Sequence, residues 1–155
     1  MRIQRKRVAW VLGGWLAWVA MIAPVGAEEP IAVIVHPSNR LDNMTTAELA
    51  RIFSGETTAW GNGDVIIVLN RPIEHAARRR FYRLVFQAPP TKKFFQPGTP
   101  FPFESVRVES NEALLRFVAR TPGVIGYLSL SAVDRTVRVL AVDGFRPDEA
   151  EYPLR

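Results

Sequence analysis

Short apolar runs alternate with amphipathic helical segments along most of this chain. Ile31–His36 is a continuous apolar run, which is typical of a strand buried on both faces. Four further strands are predicted at Val65–Leu69, Ser105–Val108, Val124–Leu128 and Val137–Val142. Helices are predicted at about Thr46–Ser54, from Pro72 to about Phe86, and from a Ser110 cap to Thr121. Because strands that alternate with helices form βαβ units, we predict an α/β fold with a mainly parallel sheet flanked by helices.

The segment Thr45–Trp60 carries the start and stop signals of one of these helices. Thr45 and Glu48 have the spacing of a capping box, in which two side chains satisfy the free N–H groups of the first turn. Gly55 stands where a left-handed residue commonly ends a helix. The apolar face of this helix comprises Leu49, Ile52 and Phe53. This segment therefore predicts a well-specified helix that packs on the sheet.

The first 27 residues have the pattern of a secretory signal peptide. Basic residues precede the apolar run Val8–Ile22, and small residues then lead to a cleavage site after Ala27. An uncleaved membrane anchor is the alternative, because the run is close to the shortest length that spans a bilayer. We therefore divide the chain into a signal peptide, residues 1–27, and one domain, residues 28–155, and expect a periplasmic or secreted protein.

The charge of the domain differs from that of the whole chain. Four of the 20 Lys and Arg residues and none of the 15 Asp and Glu residues lie in positions 1–27, which leaves 16 basic residues and a net charge of +1. A nucleic-acid or membrane-surface partner would require a clustered basic excess, so neither is expected. The chain has no cysteine, which excludes disulfides and thiolate chemistry.

Several motifs follow one another in an informative order. They are HPSN at 36–39, LARIFSG at 49–55, Trp60, VLNRP at 68–72, Phe81, PGVIGY at 122–127 and YPL at 152–154. Together they resemble the periplasmic substrate-binding proteins of phosphate ABC transporters. Full members of that family have two lobes that close on the anion. The resemblance therefore implies one lobe of a type 2 periplasmic-binding-protein fold, with residues 28–155 as a PBP-like domain.

The resemblance also implies where a ligand would bind. The family has a Ser-Gly-Thr signature shortly after an Arg, at a helix N-terminus that holds the phosphate through backbone N–H groups. Here the Arg is kept as Arg71, but the following residues lack the hydroxyls and include Glu74, whose repulsion of an anion is of order 1–4 kcal/mol at surface dielectrics. The ligand-binding candidates are Arg71, Glu74, His75, Ser38 and Asn39.

Each candidate also has a structural interpretation. Arg71 either binds an anion or pairs with Glu74, and Glu74 near a helix start also suits the helix dipole. His75 could titrate near neutral pH or share a metal with His36, although a single histidine pair makes a metal site a minor alternative. Ser38 and Asn39 follow a strand end, where ligand crevices form, or simply build a turn.

These observations favour an exported, non-catalytic solute-binding domain for phosphate or another small oxyanion. We expect no catalytic residue, metal site or cofactor, because no nucleophile motif or acidic pair is present. The expected partners are a transporter permease, a sensor protein or a second copy of the chain. The alternative is an interaction or sensory accessory module that has lost anion binding, with a contact surface in the aromatic segment Thr91–Glu104. A secreted hydrolase is a third and weaker option.

Overall fold

The structure is a computed structural model, and it describes residues 28–89 and 106–155. The predicted signal peptide and the aromatic segment Thr91–Glu104 lie outside these residues. Within the two described ranges, no helix is both long and apolar enough to cross a membrane.

The described residues form one mixed sheet with the strand order β2-β6-β1-β5-β3-β4. The strands are β1 Ile31–Val35, β2 Asn43–Met44, β3 Ile67–Asn70, β4 Val106–Arg107, β5 Val124–Ser129 and β6 Arg138–Val142. All five predicted strands are present with shifted ends. The short β2 was not predicted, because two residues carry no periodicity.

The strand β1 runs against the rest of the sheet. It is antiparallel to both neighbours, β5 and β6, whereas β2 is parallel to β6 and β3 is parallel to both β4 and β5. Five strands therefore point one way, and the predicted mainly parallel α/β sheet is confirmed. β1 is wholly enclosed, since each of its five residues is at most 1% exposed.

The described residues contain three α-helices, which lie close to their predicted positions. They are α1 Thr46–Phe53, α2 Ala76–Phe86 and α3 Asn111–Arg120. The capping box of α1 is formed, because Thr45 Oγ1 accepts from the Glu48 N–H at 3.1 Å and the Thr45 N–H donates to Glu48 Oε2 at 2.8 Å. Gly55 follows the helix with a φ of 82°, as the left-handed C-terminal position requires.

The predicted start of α2 was wrong. α2 begins at Ala76 and not at Pro72, because His75 caps the helix and Pro72 lies in the preceding turn, where its carbonyl accepts from the His75 N–H at 3.0 Å. On α3 the buried residues are Leu114, Leu115 and Val118, whereas Phe117 is 36% exposed.

Helices cover both faces of the sheet. On one face, α1 and α2 pack through aromatic rings, with centroids 4.6 Å apart for Phe53 and Phe81. Phe81 also stacks on Tyr127 of β5 at 4.1 Å with nearly parallel planes. On the other face, α3 packs against Ile34 and its neighbours. Since successive side chains of a strand alternate between faces, β1 contributes to both layers of the core.

Candidate functional site

The sequence-predicted ligand residues lie at two opposite edges of the sheet. Val35 of β1 and Val68 of β3 are both level with Ile125 of β5, but the two strands run in opposite directions. Ser38 lies three residues beyond Val35, and Arg71 lies three residues beyond Val68. Because the two strands run in opposite directions, these residues lie toward opposite edges of the sheet. Six residue steps along a strand correspond to about 20 Å. The structure therefore does not bring Ser38 and Asn39 together with Arg71, because β1 is antiparallel.

Ser38 and Asn39 border a cavity of about 320 Å³ at one edge, together with Trp60 and Gly123. Their side chains make local turn bonds. Ser38 Oγ is 2.7 Å from His36 Nδ1, and Asn39 Oδ1 accepts from the Leu41 N–H at 2.9 Å. These contacts support the turn interpretation of both residues.

Arg71 lies at the opposite edge and is wholly buried, with 0% of its surface exposed. Its guanidinium points toward the start of α3, where Nη1 donates to the Val108 carbonyl at 3.4 Å and Nη2 donates to Asn111 Oδ1. Within the described residues it has no carboxylate in an ion pair, and its buried Nε has no hydrogen-bond partner. The alternative pairing with Glu74 is therefore not formed. Burial lowers the pKa of Arg71.

A buried polar cluster fixes the backbone that carries Arg71. Asn70 Nδ2 donates to the Tyr82 hydroxyl at 2.7 Å, while its Oδ1 accepts from the Tyr127 hydroxyl and from the Arg71 N–H. Burial raises the pKa of Tyr127, so this hydroxyl stays protonated and acts as a donor. Sequence reasoning missed Asn70. An asparagine at the end of an apolar strand was a signal, because a buried amide forms hydrogen bonds with other groups inside the protein.

His75 caps the start of α2. Its Nδ1 accepts from the Ala77 N–H at 3.2 Å. The first N–H groups of a helix have no partner inside the helix, and the described residues offer none to those of Ala76 and Arg78. Burial lowers the pKa of His75, and the nearby positive charges of Arg71 and Arg79 lower it further.

Two basic residues of α2 contact the loop that precedes this helix start. Arg78 Nη1 donates to the Arg71 carbonyl at 2.7 Å, and its guanidinium lies 5.1 Å from the ring centroid of Tyr82. Arg79 donates to the Glu74 carbonyl, while the Glu74 side chain is exposed. The positive charges of Arg78 and Arg79 therefore lie near the backbone N–H groups of this helix start, which favours an anion over a cation.

The two histidines belong to different edges of the sheet, because His36 follows β1 and His75 precedes α2. A metal site shared between them, which was the minor alternative, is therefore not formed. Across residues 28–89 and 106–155, no group of three or more His, Asp or Glu side chains could hold a metal ion.

Comparison with known sequences gives a consistent family. A profile described as a PBP superfamily domain matches residues 17–149. The phosphate-binding protein PstS of Bacillus subtilis (strain 168) is 29% identical over 134 residues, which covers 80% of this chain and 41% of that protein.

Solved structures share the fold. An ABC-type phosphate transport receptor from Vibrio cholerae matches 77% of this chain and 48% of its own length, with a TM-score of 0.66 at 24% identity. PstS from Borrelia burgdorferi matches 77% of this chain and 49% of its own length, with a TM-score of 0.62 at 22% identity. The chain thus spans less than half the length of these relatives.

Proposed function

The chain belongs to the PBP superfamily, and we propose that it is an exported, non-catalytic lobe that binds phosphate or another small oxyanion. The similar protein from Bacillus subtilis is named for phosphate binding, and the similar structure from Vibrio cholerae is a phosphate transport receptor. The apolar leader ending at Ala27 supports export to the periplasm or the medium.

The buried guanidinium of Arg71 is the observation that carries this proposal. A charge removed from water is costly unless a counter-charge and hydrogen bonds compensate it. Arg71 is completely buried, has no carboxylate ion partner among the described residues, and retains an unpaired Nε. The carboxylate of Glu109 attracts this charge without forming an ion pair within the described residues, and a bound oxyanion at the start of α2 would add further negative charge.

The start of α2 provides the donors for such an anion. Helix N-termini attract anions through free N–H groups and the positive end of the helix dipole. Here the N–H groups of Ala76 and Arg78 have no partner within residues 28–89 and 106–155, and the Arg78 side chain donates to the Arg71 carbonyl in the preceding loop. The chemistry is binding without bond cleavage.

Glu74 limits the affinity of this site. Its carboxylate is exposed, so its repulsion of a bound anion is screened to about 1 kcal/mol at 4 Å. We therefore propose a weak site, whose anion would pass to a transporter permease, a sensor protein or a second copy of the chain.

The second candidate function is an accessory module without a ligand. It is favoured by the inward direction of the Arg71 side chain, which contacts α3 and not the solvent.

Calorimetric titration of the protein with phosphate and sulfate separates the two candidates. We expect binding of at least one anion, and we expect Arg71→Met to abolish it. Arg116→Met is the matched control, since it removes the same charge from an exposed position on α3. Absence of heat at millimolar anion would support the accessory module, and unchanged binding by Arg71→Met would locate the site elsewhere.

Glu74→Ser tests the charge argument in the same titration. Removing the carboxylate should strengthen phosphate binding about fivefold, which corresponds to about 1 kcal/mol. Weaker or unchanged binding would show that Glu74 does not face the anion.

A further inference from the structure

The cap of α2 is a titratable group that occupies one of the proposed anion donors. His75 Nδ1 accepts the N–H of Ala77, the second residue of the helix. A nitrogen that accepts a hydrogen bond carries a lone pair, so the neutral ring has its proton on Nε2. The hydrogen bond therefore exists only while Nδ1 is unprotonated. An anion at this helix start would compete with the imidazole for the same N–H group.

The charges that face His75 favour the neutral form. Arg71 from the preceding loop and Arg79 from α2 lower its pKa in addition to burial, while Glu109, which precedes α3, acts in the opposite direction. Glu74 is the adjacent residue and is exposed. At pH 7 the ring is thus neutral and the cap is closed.

We propose that His75 couples anion binding at the start of α2 to the uptake of one proton. This coupling rests on the oxyanion site proposed above. The proton enters from solvent at Nδ1, removes its lone pair and so releases the N–H of Ala77 to the anion. The resulting imidazolium carries an N–H at Nδ1 that can donate to the same anion. The proton and the anion therefore stabilise each other at one helix start.

The direction of the effect follows from electrostatics. An imidazolium alone at a helix N-terminus is unfavourable, because it faces the positive end of the dipole and two guanidinium groups. A bound anion reverses that balance, so the pKa of His75 must rise when the anion binds. By linkage, affinity for the anion increases as pH falls, by at most tenfold per pH unit for one proton.

Sulfate is the appropriate probe, because it does not titrate in this range, whereas phosphate does. Calorimetric titration of the purified protein with sodium sulfate from about pH 5 to about pH 8 brackets the ordinary histidine pKa of about 6.5. We expect affinity to fall about tenfold or more over this range. Repeating the titration in two buffers of different ionisation heat should show uptake of a fraction of one proton near pH 6.

His75→Asn and His36→Asn form a matched pair, since the chain has only two histidines. Asparagine can still cap a helix through its oxygen but does not titrate, so His75→Asn should bind sulfate without the pH dependence. His36→Asn should keep the dependence, because His36 bonds Ser38 at the opposite edge of the sheet.

Each result decides the proposal. Sulfate binding that does not depend on pH, or a dependence that persists in His75→Asn, overturns the coupling and leaves the anion site intact. Absence of both sulfate and phosphate binding at every pH overturns the site together with the coupling. If His75→Asn does not fold, the His75 pKa can be measured by nitrogen-15 NMR in the unmodified protein. That pKa must rise when sulfate is added, and an unchanged value overturns the proposal.

Discussion

The helices α1 and α2 pack side by side on one face of the sheet but begin in opposite ways. At the start of α1, Thr45 and Glu48 bond each other's backbone N–H groups, so the side chains close the end reciprocally. At the start of α2, His75 bonds one N–H group and leaves those of Ala76 and Arg78 without a partner among the described residues. The start of α1 also carries the carboxylate of Glu48, whereas Arg78 and Arg79 contact the loop just before α2.

This difference separates a helix end that its own side chains close from one whose free donors the proposed anion would use. A closed capping box satisfies the local donors, so nothing is gained when an anion approaches α1. At the incompletely capped start of α2, the N–H groups of Ala76 and Arg78 have no partner among the described residues, and Arg71 lies in the loop that precedes this helix. The anion that we propose would complete that helix end.

The largest effect is expected from the core that the two helices share. Phe53→Ala removes a ring that contacts both Phe81 and Tyr127, so it should lower the free energy of unfolding by about 3–5 kcal/mol. Phe117→Ala is the control, because that ring is partly exposed, and it should cost less than half as much. Denaturant unfolding measures both. Equal losses would mean that the aromatic cluster does not support the helices.

The next largest effect on stability is expected from removing the capping box of α1. Thr45→Ala opens the capping box and should cost about 1 kcal/mol at pH 7. Hydrogen bonds from Thr45 lower the pKa of Glu48, so this contribution is present above the unfolded pKa of about 4.3 and is lost as pH falls below it. Chemical denaturation at pH 7 and pH 3 measures the change. Thr58→Ala, an exposed control, should be neutral, and a loss for Thr45→Ala that stays constant with pH would contradict the carboxylate's role.

A smaller effect is expected at the start of α2, at a higher pH. Because the pKa of His75 is lowered in the fold, His75 contributes stability above its unfolded pKa of about 6.5, and this is lost as pH falls through the folded value. Thermal unfolding without anions should show a stability decrease between pH 7 and pH 5 that is reduced in His75→Asn. His36→Asn should retain the decrease. An identical decrease in all three proteins would remove the contrast between the two caps.

The smallest effect is expected from a variant that tests whether the anion binds at the start of α2. Ser38→Ala alters the opposite edge of the sheet, about 20 Å away by strand register. It should leave sulfate affinity unchanged and alter stability by no more than about 0.5 kcal/mol. Calorimetry with this variant would contradict our placement if sulfate binding were lost, because the ligand would then lie in the cavity beside Trp60.

The elements of the fold were largely readable from the sequence, because their signals are local. The capping box at Thr45, the left-handed Gly55 and the Ser110 cap each involve residues within a few positions of one another. The apolar run of β1 also identified a fully buried strand. Its direction was not readable, since strand direction depends on pairing with residues about 100 positions away.

The site was less predictable for the same reason. Arg71 was identified through the family motif, but its inward direction depends on Asn111 and Val108, which come from a distant part of the chain. The grouping of Ser38 and Asn39 with Arg71 assumed that the strand ends share one edge, and the antiparallel β1 separates them. The acceptor role of His75 could be predicted only from the true start of α2 at Ala76, whereas the sequence placed that start at Pro72.

The central place of β1 has a consequence for how the chain folds. Ile31 pairs with Ser129, and its N–H donates to the Leu154 carbonyl at 2.8 Å. The strand β1 therefore has no pairing partner on either side until β5 and β6 are in place. Folding rates fall as contacting residues lie further apart in sequence. We expect slow folding that completes only after residue 154 is available.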